Sequence, residues 1–401
     1  MLIENVERWK RPIVFFWIVG SAVVALLFLR DAMLWENGTI ANQIVWGRDF
    51  VNVWTGGKLL NADHGSLLFD LPAYQEFQMS IFGPLDPHNY SYPPVSYPIA
   101  QFLALFPYPL ALTIWFAATG ALFYHAAKPW WPSGAGPAWL VLLTPAALLN
   151  IWAGHYGFLV GALFLMGWQR TDDRPIQAGL FFGLMLIKPH MAILVPFVLL
   201  ARKKWPVIAS SAATVAVLVI ATTLAYGWAA WEGYLFRTGA VQASMIDAGK
   251  AFFGFMSTSF ATAALRLTDS WSVAIIGQIL LASIAIGVLI LAVRRNVPTP
   301  QLGLLTATAT FLVLPYAFAY DLTAVAVAAV VTIASTRSDE KQHRWAVYGL
   351  IAPSVGILTA VLGVPILPAL LGLLFLAQVR VAISGGHGSG PRFESCKVAL
   401  I

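Results

Sequence analysis

Charge is scarce in this sequence: acidic and basic residues make up 10% of its 401 positions, against 59% hydrophobic residues. A soluble domain of this size carries about a quarter charged residues. That shortage, with a mean hydropathy of +0.75, excludes an ordinary soluble protein and requires an integral membrane protein. Cysteine is almost missing. The single thiol, Cys396, stands close to the last residue, so neither an intrachain disulfide nor a cysteine metal cage can form. Segments of about ten residues with alternating polarity are missing as well, which excludes a barrel, and the long apolar runs call for helices. No small-residue cleavage site follows the first apolar run, 12–29, which ends at Arg30-Asp31. That run reads as a retained anchor rather than a removed signal peptide. No short-period repeat is visible.

The charges that are present sit at the ends of apolar runs. The net charge of +6 comes from clusters such as Lys10/Arg11, Arg202/Lys203/Lys204, Arg294/Arg295 and the stretch 337–344. This is how cytoplasmic loops are marked, and it does not point to nucleic acid. With Lys10 and Arg11 inside, residues 31–92 form a large non-cytoplasmic loop. It holds Asp31, Glu36, Asp49, Asp63, Asp70, Glu76 and Asp86 against Arg48 and Lys58. A loop of about sixty residues is too long for a connector and is expected to be functional. Turns are expected at 61–65 and 83–87, with short amphipathic helices on the membrane surface around 67–69 and 74–77. Apolar runs then give crossings at 110–127, 138–151, 158–168, 207–224, 273–293, 302–319, 322–334, 346–362 and 366–381.

Residues 178–201 are expected to break. Basic clusters flank both ends, Arg170/Arg174 and Arg202/Lys203/Lys204, and a straight span would leave one of them outside. Pro189 lacks a backbone donor and biases Lys188 away from helix. Two half-helices of roughly 15–18 Å would then carry Lys188 and His190 to the far side of the hydrocarbon. The expected fold is an all-α polytopic membrane protein of about 11–13 transmembrane helices. Residues 1–383 form one transmembrane domain, 31–92 its catalytic loop, and 384–401 a disordered cytoplasmic tail.

Ionisable residues at membrane depth are costly and default to function. Four positions qualify: Asp49 within 46–54, His155 in an outer turn, Lys188-Pro189-His190, and Tyr320-Asp321 between apolar runs. On this topology all four face the non-cytoplasmic side. Each has a plainer reading. Asp49 would be a helix cap or a partner of Arg48 or Lys58. Lys188 would snorkel to headgroups. Asp321 would cap the helix after it, and His155 would be a hydrogen-bonded turn residue. Trp115, Trp130 and Trp131 fit an interfacial belt.

Several short motifs stand in a particular order. Asp49-Phe50 is followed by Trp54 and Leu59-Leu60, then Leu68-Phe69-Asp70, then Tyr92-Pro93-Pro94 ahead of an apolar run. Gly179 and Gly183 precede Lys188-Pro189, and Leu314-Pro315-Tyr316 precedes Tyr320-Asp321. Over about residues 45 to 335 the chain resembles glycosyltransferase family 87. That family is the GT-C group of polyprenol-phosphate-mannose-dependent alpha-1,2-mannosyltransferases, formerly a domain of unknown function. The resemblance implies an inverting hexosyltransferase, with mannose favoured, that uses a polyprenyl-phosphate sugar. The early loop aspartate is its general base, a position that Asp49 matches. Two motifs depart from the pattern. Gly154-His155-Tyr156-Gly157 stands where many members have Gly-Gln-x-Asn, and Ala319-Tyr320-Asp321 replaces a histidine-rich motif. Both departures bear on the sugar and the acceptor, not on the reaction class.

Such a transfer needs a carboxylate to take the acceptor's proton and a cation beside the leaving phosphate. Asp49 suits the first task; Lys188 and His190 suit the second. His155, Tyr92, Tyr320 and Asp321 are the expected substrate-binding residues. No paired-carboxylate metal motif is present, so neither metal nor cofactor is expected, the polyprenyl-phosphate sugar being the donor substrate. Expected partners are that donor, a lipid or glycan acceptor and membrane lipids, in a bacterial inner membrane with the site facing the periplasm. The alternative is a polytopic transporter or lipid flippase, which would also have broken helices and intramembrane charges. No inverted repeat is visible, and the longest polar region lies on one side.

Overall fold

Proline opens many of the helices. It stands in the first turn of Tyr108–Ala127, Pro145–Ala153, Pro175–Leu184, Trp205–Tyr226 and Thr299–Val313, where its missing N–H costs nothing. The computed structural model describes residues 2–36, 38–41, 43–86, 88–238, 252–336 and 339–384. Among these the regular structure is helical apart from the short hairpin Trp35–Glu36 against Thr39–Ile40. Cys396, the tail beyond 384 and residues 239–251 lie outside the described residues.

Among the described residues, four helices are long and apolar enough to cross a membrane: Tyr108–Trp130, Trp205–Tyr226, Trp271–Arg294 and Glu340–Val361. Shorter apolar helices accompany them, among them Thr323–Ser335, which is buried almost throughout. Trp271–Arg294 instead turns Ile275, Ile276, Ile279, Leu280 and Ile284 outward, as a lipid-facing helix does. The chain is an all-α polytopic membrane protein.

The break at Lys188 is present. Helix Pro175–Leu184 runs into a 3₁₀ turn at Met185–Ile187, Lys188 is extended, and a second 3₁₀ turn at Pro189–Ala192 leads to Val195–Ala201. Lys188 has φ −146° and ψ 70°, the non-helical conformation expected before proline. The chain then returns to where it started. Lys204 Nζ lies 2.6 Å from Asp172 Oδ1, so residues from either side of the broken segment meet. Helix Trp205–Tyr226 packs closely on Pro175–Leu184. A Cβ on Gly179 would meet Val207 O and Ser210 Cβ at 2.5 Å, and one on Gly183 would meet Thr214 Cβ at 2.5 Å.

Three details differ from the sequence reading. The crossing expected at 302–319 ends at Val313, because Leu314 precedes Pro315 and turns extended. Residues 138–151 are not one helix: a 3₁₀ segment, Ala138–Leu143, gives way at Thr144 to helix Pro145–Ala153. Pro145 cannot continue the preceding ladder, and Thr144 Oγ1 caps the new helix by accepting from Ala147 N at 3.3 Å. The loop 31–92 holds a helix that the sequence reading does not place, Phe50–Asn61, buried on nearly every side. Its apolar side chains are not confined to one stripe. Its polar Asn52 and Thr55 bond Gln78 Nε2, each at 3.2 Å. Gln78 and Tyr74 belong to the next helix, Leu71–Phe82, which exposes Met79 and Ile81.

Candidate active site

Three turns converge on one point. The first, Gly47 to Asp49, leads into helix Phe50–Asn61. Gly47 and Arg48 both have positive φ, 82° and 38°, so the chain turns sharply here. The backbone N–H of Asp49 donates to Ala153 O at 3.0 Å. This fastens the turn to a second one, Gly154-His155-Tyr156, which ends helix Pro145–Ala153. Asn150 Oδ1 accepts from Gly157 N at 2.8 Å and closes that second turn. The third is the 3₁₀ turn Ala319–Asp321, braced by Ala319 N donating to Met256 O at 2.8 Å.

Lys188 reaches this point from the broken helix. Its Nζ lies 2.7 and 2.6 Å from Oδ1 and Oδ2 of Asp321 and 3.2 Å from Nδ1 of His155. The other imidazole nitrogen, Nε2, is 3.2 Å from the hydroxyl of Tyr92. Tyr320 stacks on the imidazole at 4.4 Å between centroids and 27° between planes. Lys188 Nζ lies 5.4 Å from the centre of the Tyr320 ring. Tyr92, His155, Lys188, Tyr320 and Asp321 are all buried. His190 follows Lys188 in the second 3₁₀ turn and is half-buried, and its imidazole has no hydrogen-bond partner among the described residues.

The plainer reading of His155 as a hydrogen-bonded turn residue holds, whereas those of Asp49, Asp321 and Lys188 fail on geometry. Asp49 stands at the N-cap position, yet its side chain makes no capping bond. Arg48 pairs with Asp31 instead, and Lys58 sits over the Trp54 ring at 4.9 Å. Asp321 caps nothing: helix Thr323–Ser335 has Leu322 at its N-cap. Lys188 does not snorkel, because its amine is buried against a carboxylate.

Asp49 is the free member of the group. Among the described residues its carboxylate accepts no hydrogen bond, whereas those of Asp31 and Asp321 do. The residue is half-buried. Burial pushes its carboxyl above the ordinary carboxylate range; His88, Lys188 and Arg48 oppose that shift. A carboxyl so placed is a better proton acceptor than an exposed one.

Sequence reasoning missed two groups near Asp49. One is a buried clamp: Arg48 Nη2 donates to Asp31 Oδ2 at 2.5 Å, Trp152 Nε1 donates to the same oxygen at 2.8 Å, and the guanidinium lies 3.7 Å over the Trp152 ring. The only signal was an aspartate ending an apolar run at Arg30-Asp31. The other is His88, whose Nδ1 lies 2.6 Å from Asp86 O. Nothing in its local sequence distinguishes it from a turn residue.

Set against known families, residues 90–315 match the model of glycosyltransferase family 87, more than half of the chain. The matched span includes Tyr92, His155, Lys188 and His190; Asp49, Tyr320 and Asp321 lie outside it. No curated protein and no solved structure matches significantly.

Proposed function

The chain belongs to glycosyltransferase family 87, and on that premise we propose that it moves a hexose, mannose favoured, from a polyprenyl-phosphate sugar to a hydroxyl of a lipid-linked or glycan acceptor. The reaction is an inverting displacement. The acceptor oxygen bonds to the anomeric carbon as the bond from that carbon to the phosphate oxygen breaks. Asp49 takes the acceptor's proton, and the polyprenyl phosphate leaves with the electron pair. Lys188 supplies the positive charge of the site, and the neutral imidazole of His190 an N–H donor, where the leaving group gains negative charge. Tyr92, His155, Tyr320 and Asp321 shape the walls around the sugar. The site faces the periplasm of a bacterial inner membrane, and the apolar helices around it take the polyprenyl chain.

The observation that carries this reading is the pairing of opposites: a carboxylate at Asp49 that accepts no hydrogen bond among the described residues, within electrostatic reach of a buried lysine held by Asp321 and His155. Base and cation sit on different turns, as a displacement with separate proton and phosphate tasks requires. The test is direct. Purified protein in lipid receives radiolabelled polyprenyl-phosphate mannose and a membrane extract, and transfer into the lipid or glycan fraction is counted. Transfer that disappears with Asp49→Asn supports the reading. A wild-type protein that transfers no sugar from any polyprenyl phosphate sinks it.

A further inference from the structure

The hydrogen bonds around Lys188 fix more than its charge. An ammonium held 2.6 and 2.7 Å from both oxygens of Asp321 is protonated and carries donors only. Its contact with Nδ1 of His155 at 3.2 Å therefore runs from lysine to imidazole. Nδ1 holds a lone pair, so the neutral ring carries its proton on Nε2. Nε2 then donates to the Tyr92 hydroxyl, 3.2 Å away. Two consequences follow. Lys188 directs its ammonium protons at Asp321 and His155, so its charge is already held by acceptors of the protein itself. The hydroxyl of Tyr92 accepts from His155, has no second partner among the described residues, and keeps its own proton to give.

We propose that Tyr92 is the hydrogen-bond donor to a phosphate oxygen of the polyprenyl-phosphate substrate, and that His155 is a positioning residue that hands the polarity of Lys188 to it. The inference rests on the proposed function for the identity of the ligand. A phosphate is the acceptor that fits: a phenol that already accepts a bond from a lysine-polarised imidazole donates more strongly, and the phosphate is where charge grows. His155 does not act as acid or base, since both of its nitrogens are committed. Its task is to accept on one side and donate on the other. A carboxamide can do the same, with its oxygen toward Lys188 and its NH₂ toward Tyr92.

The experiment uses the full chain in lipid nanodiscs with a sugar-free polyprenyl phosphate as the probe, alongside sugar transfer. Tyr92→Phe should weaken probe binding by about tenfold or more, the loss of one charge-assisted hydrogen bond. His155→Ala should do the same, whereas His155→Gln should stay within about threefold of wild type because it keeps both bonds. Nitrogen-15 spectra of labelled wild-type histidine should show an Nε2–H ring at His155, assigned by comparison with His155→Gln. Tyr92→Phe binding the probe as wild type does, His155→Gln as weak as His155→Ala, or an Nδ1–H signal would each overturn the proposal. If His155→Ala does not fold, Tyr92→Phe and the wild-type spectra still decide it. A protein that binds the probe through Tyr92 but transfers no sugar loses the proposed reaction and keeps this inference. One that binds no probe loses both.

Discussion

A Cβ on Gly154 would lie 1.8 Å from the carbonyl oxygen of Gly47. The turn that carries His155 and the turn that carries Asp49 are thus in backbone contact, with no room for a side chain between them. The Asp49 N–H to Ala153 O bond is the polar half of the same contact. This is what puts residues more than a hundred positions apart in one site.

Gly154→Ala should therefore be among the most damaging small substitutions in the chain. Gly154 has φ +69°, so alanine meets both an unfavourable backbone region and a backbone oxygen that cannot move aside. Loss of well over 1 kcal/mol is expected, read as a fall in thermal unfolding temperature in detergent together with loss of activity. An unchanged melting curve would mean that the two turns are not packed this way.

Asp49→Asn should remove transfer while sparing the fold. Loss of a positioned base costs about 10²–10⁴ in rate. Because burial disfavours the ionised carboxyl, the neutral asparagine should melt no lower than wild type, and a matched thermal scan checks this.

The pH profile follows from the same shift. Catalysis by Asp49 needs the ionised form, so kcat/KM should fall as pH drops through a value above the ordinary carboxylate range. Stability moves the other way. A raised carboxyl favours the fold below its unfolded pKa, and this contribution is lost as pH rises through the raised folded value. In Asp49→Asn the stability trend should flatten. An acid limb at the usual carboxylate position would argue against a buried base.

Breaking the Lys188–Asp321 pair on one side only should hurt more than removing both partners. Lys188→Met leaves a buried carboxylate unpaired, at a cost of about 3–5 kcal/mol. Adding Asp321→Asn should recover much of that stability without recovering transfer. Additive losses in a double-mutant cycle of unfolding temperatures would refute the coupling.

The Asp31–Arg48 clamp predicts an effect at a distance from the reacting atoms. Asp31→Ala strips the counter-charge from a buried guanidinium next in sequence to Asp49 and frees Trp152 Nε1. A loss of about 3–5 kcal/mol is expected, with kcat falling more than KM changes because Asp49 loses its fixed direction. Kinetics at saturating donor would separate the two parameters.

By itself the sequence determined the solvent, the fold class and the break at Lys188. Scarce charge and long apolar runs admit only membrane helices, and the Lys188-Pro189 step cannot stay helical between two basic ends. It also marked Asp49, His155, Lys188 and Asp321, because charge in so apolar a chain is conspicuous. The partners of those charges were decided by the tertiary structure alone. Arg48 adjoins Asp49 in sequence yet bonds Asp31, and Lys188 finds its carboxylate 133 positions away. Local spacing along one chain cannot specify which turns touch across a helical bundle; packing does, through contacts such as that of Gly154 on Gly47. The buried helix Phe50–Asn61 escaped for the same reason. A helix covered on all sides shows no periodic face, and the side chains of its buried Asn52 and Thr55 meet Tyr74 and Gln78 from the next helix.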